Sequence, residues 1–413
     1  MSGLPWTHRL AFGWHLVGGL TTLVAGASWW LDLPIAIAWA VPFLVLIGRV
    51  VTRRPRPSDA WRVHSDWLAR SVLGVAALLA FVTAWTTLIP DWDGMAIWGL
   101  KAKLLAMGEL DAAWLQAPLN LPAHPEYPLH VPLRAALIAQ VVGWHGGLLS
   151  VLLVLDVVAL GLLVLGSVEA RRRGPAATWI LVGLFAVPAL WDEIPRGYAD
   201  PTIALALAAT LVALDRWLRS GDRVALALAA LSAGVGAWTK QEGLVLLIVA
   251  FGVAWLLAPF ADRRRLPVVV AGAVGVSVAV PWQLVRRGLG IATEPFGWRG
   301  VEQLDRLPII LGRIAEEMTT LDRWSLLWPA SAIALIAWVV QAVRSRRTDA
   351  ASWLPALALL GALAAWTAIY VATPHDVIWH LDTSLHRLLV QLVPAAMLTI
   401  LSLVDATHRA STS

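Results

Sequence analysis

Residues 147–168 read GLLSVLLVLDVVALGLLVLGSV. Asp156 is the one ionisable residue in the run. A helix over this stretch would reach about 33 Å, enough to cross the roughly 30 Å hydrocarbon core of a bilayer. The apolar residues do not alternate with polar ones, as they would in a strand of a membrane barrel. They surround the helix on all sides, which suits lipid or the interior of a large bundle. The run therefore predicts a membrane-spanning α-helix.

Working outward, the pattern repeats. Of the 413 residues, 59% are hydrophobic and 14% charged, and the mean hydropathy is +0.70. A soluble chain would be about a quarter charged. About twelve spans are expected, near residues 10–31, 34–51, 69–90, 147–168, 176–191, 201–218, 224–238, 243–259, 267–285, 324–343, 353–372 and 387–404. The fold class is all-α integral membrane, a polytopic helical bundle. Ala135–Val142 is apolar but too short to cross. It is expected to lie as an amphipathic helix at the outer surface. The first run is long and lacks a small-residue cleavage site, so it reads as an anchor. There is no cysteine, which excludes disulfide and thiolate chemistry.

The formal net charge is +5. In a soluble chain this would raise nucleic acid as a partner. Here the arginines sit in every second short loop: Arg53, Arg54, Arg56 and Arg62, then Arg171–Arg173, then Arg216, Arg219 and Arg223, then Arg263–Arg265, then Arg344, Arg346 and Arg347. Basic loops stay in the cytoplasm. The expected partners are thus membrane lipids and no nucleic acid. The expected location is the cytoplasmic (inner) membrane, with both termini inside. This leaves loops 91–146 and 286–323 outside, and long loops in compact chains are often functional. The chain divides into a two-helix extension (1–68), a central module (69–260) and variable C-terminal helices (261–413).

The outer loops and short outer links carry the polar chemistry. Asp91-Trp92-Asp93 follows the third span. Two carboxylates so placed can bind a metal, act as a base, or merely start a helix. Helical spacing from Asp93 to Lys101 would put acid and base on one face. Lys101 and Lys103 run against the positive-inside trend and suit an anionic phosphate. His124-Pro125-Glu126-Tyr127-Pro128 is an irregular, proline-fixed segment. Irregular backbone at membrane depth lines cavities, though a rigid loop explains it too. Asp200-Pro201 opens the sixth span, where capping alone would account for the acid. Lys240 and Glu242 lie in a link too short to be a solvated loop, so they are either a structural pair or functional. His380 and Arg387 precede or open the last span. Arginine matches phosphate oxygens bidentately. The histidines lack metal spacing. Asp156, mid-span, reads as a structural acid that pairs with a polar group, or stays neutral. Most of the 25 tryptophans suit the membrane interface. Trp92 and Trp98 also suit stacking against a sugar or lipid carrier.

These motifs, in this order, resemble those of the GT-C superfamily of membrane glycosyltransferases, in particular bacterial relatives of protein O-mannosyltransferases and of the aminoarabinose transferase of lipid A. The resemblance runs from about Ala69 to Val404. It rests on Asp91 to Lys103, His124 to Pro128, Gly197 to Asp200, Trp238 to Gly243 and His380 to Arg387. It implies a GT-C-like bundle and transfer of a sugar, hexosyl or pentosyl, from a polyprenyl-phosphate donor to a lipid, glycan or protein acceptor outside the membrane. It also implies Asp93 (or Asp91) as general base, and Lys101, Lys240 and Arg387 as donor-phosphate ligands. His124, Tyr127, Asp200, Glu242 and His380 would be substrate-binding residues. Some members use a divalent cation such as Mg or Mn, for which Asp91 and Asp93 are the candidates; others use no cofactor. Two features depart from the family's usual pattern: two spans precede the one feeding the catalytic loop, and there is no obvious soluble outer domain. A polyprenyl phosphate can leave if cations stabilise its charge, and single displacement would invert the sugar. The competing class, a transporter or flippase of lipid-linked saccharides, would place its ionisable groups near the midplane.

Overall fold

The computed structural model describes residues 5–45, 67–86, 89, 91–170, 183, 186–291, 300–345 and 349–412. Among these the chain is helical, with no strand. The principal helices are α1 (Trp6–Trp30), α2 (Trp67–Thr86), α3 (Leu100–Met107), α4 (His130–Val142), α5 (Leu148–Ala170), α6 (Pro188–Arg196) and α7 (Asp200–Ser220). They continue with α8 (Arg223–Thr239), α9 (Gln241–Leu257), α10 (Arg265–Gly288), α11 (Leu307–Met318), α12 (Leu327–Ser345), α13 (Ala350–Ala372) and α14 (Val377–Thr412). Among the described residues seven helices are long and apolar enough to span a membrane: α1, α5, α7, α9, α10, α13 and α14. Shorter apolar helical stretches at Ile35–Val45, Gly74–Thr86, Arg223–Thr239 and Leu327–Gln341 fall on four more expected spans. The expected span at 176–191 and the basic clusters at 53–62 and 171–173 lie largely or wholly outside the described residues.

Helix α7 is the centre of the bundle. It packs against α5, α8, α9, α13 and α14, and 89% of its apolar window is buried, against 28% for α10. Its sequence explains the difference. Ala204, Ala206, Ala208, Ala209 and Ala213 are all buried. Small residues let helix backbones approach closely where lipid leaves little hydrophobic drive between helices. Helix α10 instead presents Leu266, Val269, Val270 and Leu284, all exposed in the isolated chain, as a lipid-facing stripe.

Three elements differ from the sequence reading. Helix α4 begins at His130, five residues before the apolar run Ala135–Val142, and its first part is buried while Val141 and Val142 are exposed. It packs between α1, α3 and α5, and His130 to Leu137 are all buried. Its Arg134 donates two hydrogen bonds to Asp156 on α5, at 2.7 and 2.8 Å, and Asp156 also accepts from Trp14 and Thr202. The mid-span acid is thus a fully compensated structural pair. Helix α14 begins at Val377, ten residues before Arg387, because His380, Asp382 and His386 interrupt its apolar pattern without breaking the helix. The expected loop 286–323 contains the last turn of α10 and all of α11, a helix too short and too polar to read as a span.

Candidate active site

Four segments distant in sequence meet at one end of the bundle. The first follows α2. Here the backbone forms a π-helical turn, Asp93–Gly99, that runs directly into α3. Such turns re-aim side chains and concentrate at functional sites. The turn is pressed against the end of α6: a Cβ on Gly94 would fall 1.8 Å from the Arg196 carbonyl oxygen and 2.6 Å from Ile89 Cγ2. Only glycine permits that approach, and it brings the Asp93 turn against the segment that carries Tyr198 and Asp200.

Asp200 is the second element. It opens α7, yet it makes no capping hydrogen bond. Its fully buried carboxylate instead accepts from Gln391 Nε2 at 2.5 Å, Arg387 Nε at 3.3 Å and Lys240 Nζ at 3.4 Å. Lys240, the third, is the single extended residue between α8 and α9. The link is so tight that a Cβ on Gly243 would fall 2.0 Å from the Gly236 carbonyl oxygen. Lys240 Nζ also lies 2.7 Å from Glu242 Oε1.

Arg387 on α14 completes the arrangement. One guanidinium nitrogen donates to Asp93 Oδ2 at 2.6 Å while Nε donates to Asp200 Oδ2. A planar fork with several fixed donors can bridge two acids in this way, where an ammonium cannot hold the same geometry. The guanidinium lies 4.1 Å from the Tyr198 ring centroid. Tyr198 in turn bonds Asp91, and burial together with that bond raises its phenol above the ordinary range. Asp93 is the open member of the cluster, 29% exposed, whereas Asp200 is closed.

A second group forms the wall beside it. Lys101 is completely buried and donates to the His124 carbonyl at 2.9 Å. It lies over the rings of Trp98 and Tyr127. Burial pushes its ammonium down to about 7, against the pull of Glu126. His124 adopts a left-handed backbone (φ 47°). This stacks its ring on Tyr127 and sets Nδ1 2.8 Å from Glu126 Oε1. Trp282 Nε1 donates to the Glu126 carbonyl. Tyr127 lies within electrostatic reach of Arg387, so the two groups adjoin.

The sequence matches no protein-family model and no curated protein. The structure is similar to a crystal structure of ArnT from Cupriavidus metallidurans bound to undecaprenyl phosphate. The TM-score is 0.54 at 19% identity, with 82% of this chain and 60% of that chain covered. The chain has the GT-C fold. It spans about 60% of the length of ArnT.

Within this GT-C fold, Asp93, Asp200, Lys240, Glu242 and Arg387 come together as one ionic network. Asp93 and Lys101, expected two turns apart on one helix face, take different partners. Asp93 takes its cation from Arg387 and Lys101 takes a main-chain carbonyl, with the π-helical turn Asp93–Gly99 lying between them. His124 and Tyr127 belong to the adjoining wall. His380 lies two turns from Arg387 on α14, about 10 Å along the axis, where it bonds Thr373 and meets Tyr370 edge-on. Asp91 and Asp93 are the candidates for Mg or Mn, and both already have side-chain partners. Asp93 is committed to a guanidinium and Asp91 to a phenol. Among the described residues no group of three or more histidines or acids could hold a metal. The sequence assigns no role to Gln391 or Glu193, and Tyr198 enters it only as part of the Gly197–Asp200 motif. Gln391 had a signal: it stands one helical turn after Arg387 in an otherwise apolar stretch.

Proposed function

We propose that this chain transfers a sugar from a polyprenyl-phosphate donor to a hydroxyl on a lipid, glycan or protein acceptor. The carrying observation is the Arg387 bridge between an open acid, Asp93, and a buried one, Asp200, in a fold shared with a protein that binds undecaprenyl phosphate. Arg387 and Lys240 hold the donor phosphate, and Lys101 fixes the loop wall of the cleft. The acceptor oxygen attacks the anomeric carbon as its bond to phosphate breaks. The bonding electrons pass to the phosphate, whose growing charge the two preorganised cations stabilise. Asp93 takes the acceptor proton. Asp200 and Glu242 orient the cations, and attack opposite the leaving group inverts the sugar. The basic loops of the sequence support an orientation with both termini in the cytoplasm and this cleft outside the cytoplasmic membrane.

The distribution of charge favours this reading over a flippase. The mid-span ion pair, Arg134–Asp156, is packed and compensated. The remaining buried ionisable groups of the network gather at one end. The test is transfer in proteoliposomes supplied with polyprenyl-phosphate hexose or pentose donors. Asp93→Asn should insert normally and form no product; full transfer by that variant would remove Asp93 from the role of base.

A further inference from the structure

Behind the Asp93–Arg387–Asp200 bridge lies an acid that the proposed reaction does not use. Glu193, on α6, is 1% exposed, and its Oε2 has no hydrogen-bond partner. The adjacent polar group is His386 on α14. Its Nε2 lies 3.7 Å from Glu193 Oε1 and is likewise buried and without a partner. Each side chain thus keeps one buried atom without a hydrogen bond, which is rare, and the two side chains approach through Oε1 at 3.7 Å, just beyond hydrogen-bond distance. A proton on the carboxyl group removes the buried charge, and placed on Oε1 it gives His386 Nε2 an O–H donor once the 3.7 Å gap closes slightly. A bare carboxylate would instead leave an unpaired buried charge next to Asp200.

We propose that Glu193 and His386 form a proton-holding pair, and that this proton governs how strongly Arg387 holds an anionic phosphate. The charges around the pair support it. Helix α7 contributes Asp200, α14 contributes Arg387, the α8–α9 link contributes Lys240, and α6 itself contributes Arg196. The short helix Leu321–Trp324 brings Arg323 toward His386, but Arg323 is already bound to Glu317. On α5, Asp156 is held by Arg134, and residues 74–86 of α2 carry no titratable group. The cations near Glu193 are therefore largely engaged by Asp93, Asp200 and Glu242. Burial, with Asp200 adding to it, raises the Glu193 carboxyl to about 8. Below that pH the pair is neutral and Arg387 is shared by two carboxylates. Above it a third negative charge enters the field of Arg387 and opposes an arriving phosphate.

This inference rests on the donor-phosphate reading above. Two measurements on the full chain test it. The first is the infrared carbonyl band of a protonated carboxylic acid, followed against pH without any ligand. Wild type should show a band at neutral pH that disappears through about pH 8, the midpoint set by Glu193. Glu193→Gln should lack it, and His386→Asn should shift it, since the acceptor of its hydrogen bond has changed. The second is affinity for undecaprenyl phosphate across the same range. Wild type should weaken about tenfold, equivalent to one pKa unit of coupling, while Glu193→Gln should lose that weakening and keep wild-type affinity at low pH. A purely structural role would leave the slope unchanged. Absence of the band at neutral pH overturns the pair. An equal affinity slope in wild type and Glu193→Gln overturns the coupling. No binding of undecaprenyl phosphate by wild type at any pH overturns the donor reading and the coupling, while the infrared band still decides the pair.

Discussion

Among the described residues, replacing Arg387 by methionine removes the cation bonded to Asp93 and one of two bonded to Asp200. Asp200 keeps Lys240 and Gln391, so its loss is partial. Asp93 keeps none of its charge compensation, but it is 29% exposed and water recovers part of the loss. Removing one partner of a buried pair costs about 3–5 kcal/mol. Discounting for the exposed acid gives about 2–4 kcal/mol of stability. The effect on turnover should be larger than this suggests. Loss of one preorganised charge stabiliser typically lowers kcat by about 10²–10³. Arg387→Lys keeps the charge but not the fork, and should recover only part. The stability part can be isolated with a double-mutant cycle. On an Asp93→Asn background the acid is gone, so Arg387→Met should cost about 1–3 kcal/mol less than on wild type. Sugar transfer in proteoliposomes measures the first effect, and detergent-solubilised thermal unfolding measures the second. Transfer by Arg387→Met within about threefold of wild type, or a coupling below about 0.5 kcal/mol, would refute the bridge as a functional unit.

Other expectations follow from the same contacts. Gly94→Ala forces a methyl group to within 1.8 Å of the Arg196 carbonyl oxygen; this overpacking should cost about 1–3 kcal/mol and, by displacing Asp93, lower kcat well beyond the loss of folded protein seen by size exclusion. Arg134→Met should cost about 3–5 kcal/mol in thermal unfolding by uncovering Asp156, yet leave the KM for donor unchanged in the folded fraction; a raised KM would tie that pair to the site. The chain has no cysteine, so Leu119→Cys, in the 91–146 loop and 93% exposed, should react with an impermeant maleimide from outside intact cells. Labelling only after permeabilisation would invert the topology.

The spans were legible because each is long, apolar and free of alternation. Helix ends were not, and the reasons are local. The last span was placed at Arg387 because hydropathy weighs His380, Asp382 and His386 against membrane insertion, yet a helix tolerates polar side chains wherever they find partners. His380 finds Thr373, and Asp382 pairs with Arg313 of α11. The start of helix α4 is not legible because hydropathy isolates only the eight apolar residues Ala135–Val142, too few to span. Its cation, Arg134, lies just outside that run, and only the fold shows that it reaches the buried acid on α5.

The same distinction governs the site. The sequence offered many ionisable residues near one boundary, and their order carried the resemblance. Partnership was not in the order. Asp93 and Lys101 stand at helical spacing and do not pair, while Asp93 and Arg387 pair across 294 positions. The deciding features are backbone ones: a π-helical turn that alters the phase after Asp93, and glycines at 94 and 243 that let chain segments touch. Hydrophobic periodicity cannot report either, because both act through missing atoms or an added residue per turn. What could have been read is Gln391. A glutamine one turn beyond an arginine, inside an apolar helix, needs a buried polar partner. Asp200-Pro201 offered a buried carboxylate at a helix start. Joining the two would have taken the acid away from helix capping and placed it under Arg387, where the structure shows it.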